Sequence, residues 1–275
     1  MHEIEMHTVS EDFADCWRVA GSHLQSQSHD AKLSWLKASL TPPFLEHLSF
    51  RIGNQLFFVR VVDVDDKVIG PGNPNGFRTI ADGCRGHACL MPMRKTKKSF
   101  LPTGNKASKW GKWGTDAPGW GLVNPVTNAP VEPLALVSDE NVEMTNWEIH
   151  DFAVQIVRDH VTEELGNELM SSQGNPRVDP SIWFVGDGGP EWVVVRATRY
   201  PQKDAPRPAN LPDIVSTNRE QGKQNWNLEP KGHFASVSFA NSDDPFDPEN
   251  NASPTPLWRG HGTTVSFSGL QDVKE

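Results

Sequence analysis

Residues 145–157 read TNWEIHDFAVQIV, and this stretch specifies its own local structure more completely than any other in the chain. The Thr145 hydroxyl can accept the backbone N–H of Glu148 while the Glu148 carboxylate returns to the N–H of Thr145, a reciprocal capping box that opens a helix. Behind it Ile149, Phe152, Ala153, Ile156 and Val157 form one apolar stripe, and Gly166 is placed to end the helix near Leu165. Downstream, Ser181 to Val185 and Glu191 to Ala197 read as two strands joined by Gly186-Asp187-Gly188-Gly189-Pro190, residues that tolerate the backbone angles of a tight turn. After a Pro- and Asn-rich connection, Pro201 to Lys231, the segments Phe234 to Ala240 and Thr263 to Phe267 alternate as strands around an acidic loop, Ser242 to Pro256.

Working toward the N-terminus, the same grammar recurs. Ser10 to Val19 begins with an N-cap and an acidic first turn, and Asp30 to Leu40 sets Leu33, Leu36 and Leu40 at helical spacing, so two short helices are expected. Leu48 to Ile52 and Leu56 to Val64 flank a turn at Gly53-Asn54 and predict a hairpin. Phe50 to Arg60 and Phe184 to Arg196 share an aromatic, a Gly-centred turn and a strand ending Val-Arg, and each follows a His-Asp pair, at His29-Asp30 and His150-Asp151. A pseudo-repeat of helix plus hairpin is one reading of this likeness; two unrelated amphipathic hairpins are the other. From Gly70 to Asn128 no period is sustained, which predicts a long irregular excursion with at most short strands. Pro125 to Ser138 is a second irregular connection. The boundary between an N-terminal half, residues 1–135, and a C-terminal half, residues 136–275, is expected there, although one compact domain is also compatible with the length.

Ten Trp and thirteen Phe in 275 residues supply bulky packing material that a disordered chain rarely carries. Three Cys, with Cys16 far from Cys84 and Cys89, argue against a secreted disulfide framework and for a reducing compartment. The acidic start lacks a basic leader and an apolar stretch, so no signal peptide is expected, and the apolar runs are far short of the roughly 20 residues that span a bilayer. These features together predict a cytoplasmic protein with no membrane partner.

In the second half the order is Glu148 on a helix, Asp179 before a strand, and Glu191 and Arg196 on the strand after it. The region 145–200 resembles the core of the PD-(D/E)xK nuclease superfamily, in which an acidic residue on a helix, an Asp at a strand start and an acidic-x-Lys on the next strand hold a divalent metal that activates water. That resemblance implies a restriction-endonuclease-like fold with Glu148, Asp179, Glu191 and Arg196 as the catalytic set. The key motif reads Val194-Val195-Arg196, so the metal-binding carboxylate is missing and Arg stands for Lys. Glu191 is an odd number of residues from Val194 and faces the other side of a strand.

Two further constellations carry chemistry. Cys84, His87 and Cys89 gather three soft ligands in six residues. A zinc site there needs a fourth ligand such as Cys16 or His261, and the competing reading is a pair of small buried thiols. From Arg94 to Lys112 there are seven basic residues and no acidic one, on a chain whose formal charge is −9. Arg94, Lys95, Lys97, Lys98, Lys106, Lys109 and Lys112, interleaved with Phe100, Trp110, Trp113 and, further on, Trp120, combine cations for phosphates with flat faces for unpaired bases. The 94–120 excursion would equally suit an acidic protein surface. The acidic loop around Asp243, Asp244, Asp247 and Glu249 lacks the Gly of an EF-hand and is too rich in Pro for one, so calcium is not expected.

The sequence therefore predicts an α+β protein of two helix-plus-hairpin halves with long irregular Gly/Pro/Trp-rich loops. Its expected role is non-catalytic, engaging nucleic acid or a protein partner through the basic excursion. A degenerate metal-dependent nuclease and a self-assembling or protein-binding factor with no nucleic-acid role are the alternatives.

Overall fold

A computed structural model describes residues 9–28, 32–39, 47–68, 70–72, 74–95, 113–243 and 255–273. The fold is α+β. The chain divides into two compact units, His7–Asn141 and Val142–Glu275. No helix among the described residues is long and apolar enough to cross a membrane.

The first unit opens with α1 (Glu11–Gln27), whose N-cap Ser10 accepts the Phe13 N–H at 3.2 Å and whose first turn carries Glu11 and Asp12 against the helix dipole. Its buried stripe, Phe13, Cys16, Trp17, Ala20 and Leu24, lies on a five-stranded sheet. That sheet is β1 (Leu33–Lys37), β2 (Leu48–Ile52), β3 (Gln55–Asp63), β4 (His87–Lys95) and β5 (Trp113–Thr115), in that spatial order. Strands β1, β2 and β3 are antiparallel, β4 runs parallel to β3 after the crossover helix α2 (Pro74–Gly83), and β5 returns antiparallel to β4. Val59, Val61, Cys89, Met91 and Met93 face α1, while Phe58 faces the opposite side, where His47 touches both Phe58 and the α2 residue Phe77. A short helix, α3 (Pro133–Leu136), follows.

The second unit opens with α4 (Asn146–Asp159), which continues into one π-helical turn, His160–Glu164, and ends before Gly166 at φ +70°. Its sheet is β6 (Glu168–Ser172), β7 (Ile182–Gly186), β8 (Gly189–Arg199), β9 (Lys231–Asn241) and β10 (Thr263–Phe267), again in chain order, with the short β11 (Gln271–Asp272) on the same edge of β9 as β10. Helix α5 (Leu211–Trp226) is the crossover between the parallel strands β8 and β9. Because β8 is covered on both faces, it reads as an unbroken apolar run: Val193 and Val195 join the α4 cluster, while Trp192 and Val194 pack with Leu211 and Ile214 of α5.

The pairing registers of the two sheets superpose. The tight hairpins close at Ile52↔Gln55 and Gly186↔Gly189, and the parallel ladders begin at Phe57↔His87 and Glu191↔Lys231. The last pairs, Met93↔Thr115 and Val237↔Phe267, fall at matching positions. Even the irregularity in the first pairing recurs, between Trp35 and Lys37 and between Leu169 and Ser171. Each unit is thus the same helix, three-strand meander, crossover helix and returning strand pair. The register also corrects the sequence likeness: Arg60 corresponds to Val194, and Arg196 corresponds to Val62, so the two Val-Arg endings are two residues out of step.

Three expectations are corrected. Residues 33–37 form β1 rather than a helix, because Leu33 and Trp35, two apart, pack on the core while the strand pairs with β2. The excursion from Gly70 is not irregular throughout: it holds α2, β4 and β5. Pro92, which brings no N–H to the ladder, stands inside β4, and only Phe77 and Ala81 are buried on a Gly- and Pro-containing α2, so neither element shows a sustained period. The Pro- and Asn-rich connection contains α5, whose buried stripe is Leu211, Ile214, Asn218 and Gly222, too polar to register as amphipathic. Gly222 is required there, since a Cβ would meet the Leu228 carbonyl and the Pro230 ring.

Candidate functional site

Each carboxylate singled out in the second unit is engaged by a different basic side chain. Glu148 completes the expected capping box: its N–H donates to Thr145 Oγ1 at 3.2 Å and its Oε2 accepts the Thr145 N–H at 2.8 Å. The same carboxylate accepts two further hydrogen bonds, from Arg259 Nε at 2.8 Å and Nη2 at 2.9 Å, with both residues 7% exposed. Asp179 receives a fork-to-fork pair from Arg196, Nη1 to Oδ1 at 2.9 Å and Nη2 to Oδ2 at 2.6 Å. Glu191 accepts from His233 Nε2 at 2.6 Å, while His233 Nδ1 lies 3.3 Å from Asp272, within ion-pair reach but outside hydrogen-bond geometry. Asp272 in turn binds Lys231 at 2.9 Å.

The structure therefore brings Asp179 and Arg196 together and leaves Glu148 and Glu191 with partners of their own. Glu191 and Arg196 stand five residues apart on β8, about 17 Å along the strand and on opposite faces. The position between them that a metal-binding carboxylate would occupy is Val194, fully buried against α5. Among the described residues no group of three or more His, Cys, Asp and Glu is placed to hold a metal ion.

In the first unit Cys84 and Cys89 are buried, and burial pushes the Cys89 thiol up to about 12. Cys16 is driven to about 12 by burial and then by the charge of Asp63. With no metal bound, such thiols stay protonated at neutral pH and are poor nucleophiles. His87 hydrogen-bonds Gln55 Oε1 at 3.0 Å through Nε2 and stacks on Phe57 with ring centroids 5.0 Å apart.

The basic excursion divides in two. Its base belongs to the sheet, where Lys95 pairs with Trp113 in the β4–β5 ladder and Trp113 and Trp120 are buried in the core. Arg94 forks onto Asp116 at 2.9 and 3.1 Å and reaches Asp65 at 3.1 Å, and Lys95 binds Asp12 at 2.7 Å while lying over the Trp113 ring. The Arg94 guanidinium, hydrogen-bonded to Asp116, holds that carboxyl below the usual carboxylate range. Lys97, Lys98, Phe100, Lys106, Lys109, Trp110 and Lys112 lie outside the described residues, in the segment 96–112 that joins β4 to β5.

One concave surface was missed from sequence because it is built on α5. A cavity of about 450 Å³ lies between one stripe of that helix, Asn210, Asp213, Ile214, Thr217, Asn218 and Gln221, and a wall that includes Asp179, Pro180 and Trp183. The spacing of that stripe, three and four residues, was legible once a helix was granted.

A family model described as "Domain of unknown function (DUF8840)" matches residues 147–273, nearly the whole second unit from the first turn of α4 to the residue after β11. No curated protein matches the chain, and no solved structure matches it. To that domain of unknown function the second unit is similar, over the stretch that holds Glu148, Asp179, Glu191, Arg196, His233 and Arg259.

Proposed function

We propose that this is a non-catalytic binding protein that engages single-stranded nucleic acid through the lysine- and Trp-bearing connection between β4 and β5. The observation that carries the reading is the comparison of that connection with its counterpart. In the second unit the equivalent connection, between β9 and β10, carries Asp243, Asp244, Asp247 and Glu249. The same strand pair is closed by an acidic segment in one unit and by five lysines without an acid in the other, so the folding of the sheet does not call for the lysines. Their excess charge is then available for phosphate neutralisation, and Phe100 and Trp110 offer faces for base stacking. The cations that the strands themselves carry, Arg94 and Lys95, are committed to Asp116, Asp65 and Asp12 and anchor the base of the segment. The engagement of Glu148, Asp179 and Glu191 by Arg259, Arg196 and His233 supports a role without catalysis.

Fluorescence anisotropy with a labelled, mixed-sequence single-stranded oligonucleotide, repeated across a series of salt concentrations, tests this. Replacing Lys97, Lys98, Lys106, Lys109 and Lys112 by Gln is expected to reduce the slope of log K against log salt by up to about 3.5, at about 0.7 for each phosphate that is no longer neutralised. Trp110→Ala is expected to cost about 1–3 kcal/mol of binding with the slope kept. Absence of binding by the native chain, or an unchanged slope in the five-fold variant, sinks the proposal. So does binding confined to an acidic polypeptide such as polyglutamate.

A further inference from the structure

The cavity over α5 is separate from the lysine segment and has its own chemistry. Asn218 is 3% exposed yet lines it. Its Nδ2 donates to the Ile214 carbonyl at 2.8 Å, and because a carbonyl only accepts, that bond fixes the orientation of the amide and leaves Oδ1 as the other end. No hydrogen bond engages that Oδ1 among the described residues, and the atom keeps some solvent access, so an acceptor stands open on the cavity that Asn218 lines. Two turns of helix supply Asp213, Thr217 and Gln221 around it, all exposed, and Asn210 stands at the helix start without making a side-chain cap.

The charge of the lining narrows the ligand. No Lys or Arg lines the cavity, and of the two carboxylates Asp179 is neutralised by Arg196 while Asp213 has no ion pair among the described residues. A phosphate or carboxylate ligand would be repelled. The opposite wall carries Trp183, which sits on the α5 side of the sheet beside Trp226 and packs with Trp192 and Ile214. An indole beside several short amide, hydroxyl and carboxylate side chains suits a ligand with an apolar C–H face and a rim of hydroxyl groups. The volume, about 450 Å³, lies within the ordinary range for small-molecule sites.

From this arrangement we infer that the cavity between α5 and Trp183 is a binding site for a neutral pyranose sugar, free or at the end of a glycan. The sugar ring lies against Trp183, one hydroxyl donates to Asn218 Oδ1, and Asp213 accepts from one or two others.

Saturation-transfer NMR on the full chain, with the methyl glycosides of glucose, galactose and mannose and with N-acetylglucosamine, each at ~10 mM, decides the matter. Transfer to the ring C–H protons of at least one of them is expected. The double variant Asp213→Ala, Gln221→Ala changes only exposed positions on α5 and should weaken that sugar about tenfold or more at unchanged thermal stability. Trp183→Ala should abolish the transfer. No transfer from any of the four sugars overturns the inference, as does equal affinity in the double variant, or a response to choline or adenosine in place of the sugars. Sugar binding that persists in the five-lysine variant is expected, since that segment does not line the cavity.

Discussion

On β3 of the first unit Phe57 stacks on His87, and Cys89 lies fully buried on the parallel neighbour. At the matching registers of the second unit stand Glu191 and His233, hydrogen-bonded at 2.6 Å. The difference extends through both cores. Phe50 stacks on Phe57 and Trp120 in the first unit, whereas the second commits Glu148 to Arg259 and Asp179 to Arg196. One backbone ladder thus accepts an aromatic interior in one copy and a set of partly or fully buried ion pairs in the other. The backbone hydrogen bonds set strand order and register, and the side chains on the inner faces are free to differ so long as each polar group meets a partner.

Buried pairs are costly to break and add little when intact, so the two units should respond unequally to loss of one partner. The largest effect is expected at Arg259. Its removal by Arg259→Ala leaves Glu148 buried with the Thr145 backbone N–H as its remaining hydrogen-bond donor, at a cost of roughly 3–5 kcal/mol. In the first unit α1 is capped by Ser10 alone, and Ser10→Ala should cost only about 1 kcal/mol. Urea unfolding of the two variants measures the contrast. Equal losses would mean that the second unit does not depend on its ion pairs, and the comparison would break.

A middle-sized effect isolates the matched positions. His233→Cys installs the residue that the first unit carries and strands Glu191, which should destabilise by about 1–3 kcal/mol. Adding Glu191→Leu removes the orphaned charge and should recover most of that loss, because an ion pair is often replaceable by apolar groups when both partners go together. The double-mutant cycle gives the coupling directly. Additive losses would show the pair to be independent neighbours.

How much of this was readable beforehand follows the same division. The capping box, the α4 stripe and both hairpins were legible because local chemistry decides them: a hydroxyl three residues before a Glu, apolar residues at helical spacing, glycines at a tight turn. Helix α5 and strand β4 were hidden because their burial is tertiary. Asn218 and Gly222 are buried by what packs on them rather than by their own character, and Pro92 sits in a strand whose neighbour β5 is only three residues long. The repeated architecture was legible only as a likeness between the two hairpins, and there two residues out of register. Equivalent positions share burial but not identity, as Phe57 against Glu191 and Cys89 against His233 demonstrate. Likewise the partners of Glu148 and Glu191, Arg259 and His233, are 111 and 42 residues away in sequence, so nothing local announces them.

The smallest expected effect separates the two returning strand pairs. In the first unit the β4–β5 ladder carries Arg94, tied to Asp116 and Asp65; at the matching place in β9 stands Ser238, with no charge at all. Since Arg94 lowers the Asp116 carboxyl below its ordinary value, the folded state takes up that proton later on acidification than the unfolded state does. The contribution is present in full above the unfolded value, near pH 4, and is lost as pH falls through the lower, folded value. Both groups are exposed, so the loss is local and does not unfold the unit. Native-state amide exchange, corrected for the intrinsic rate at each pH, should show Arg94, Lys95 and Trp113 keeping their protection from neutral pH down to about pH 4 and losing it on further acidification, while Ser238, Phe239 and Val265 keep theirs. Asp116→Asn should remove that difference, leaving β4–β5 as indifferent to acid as β9–β10; a pH response that survives the substitution would assign it to the Lys95–Asp12 pair instead.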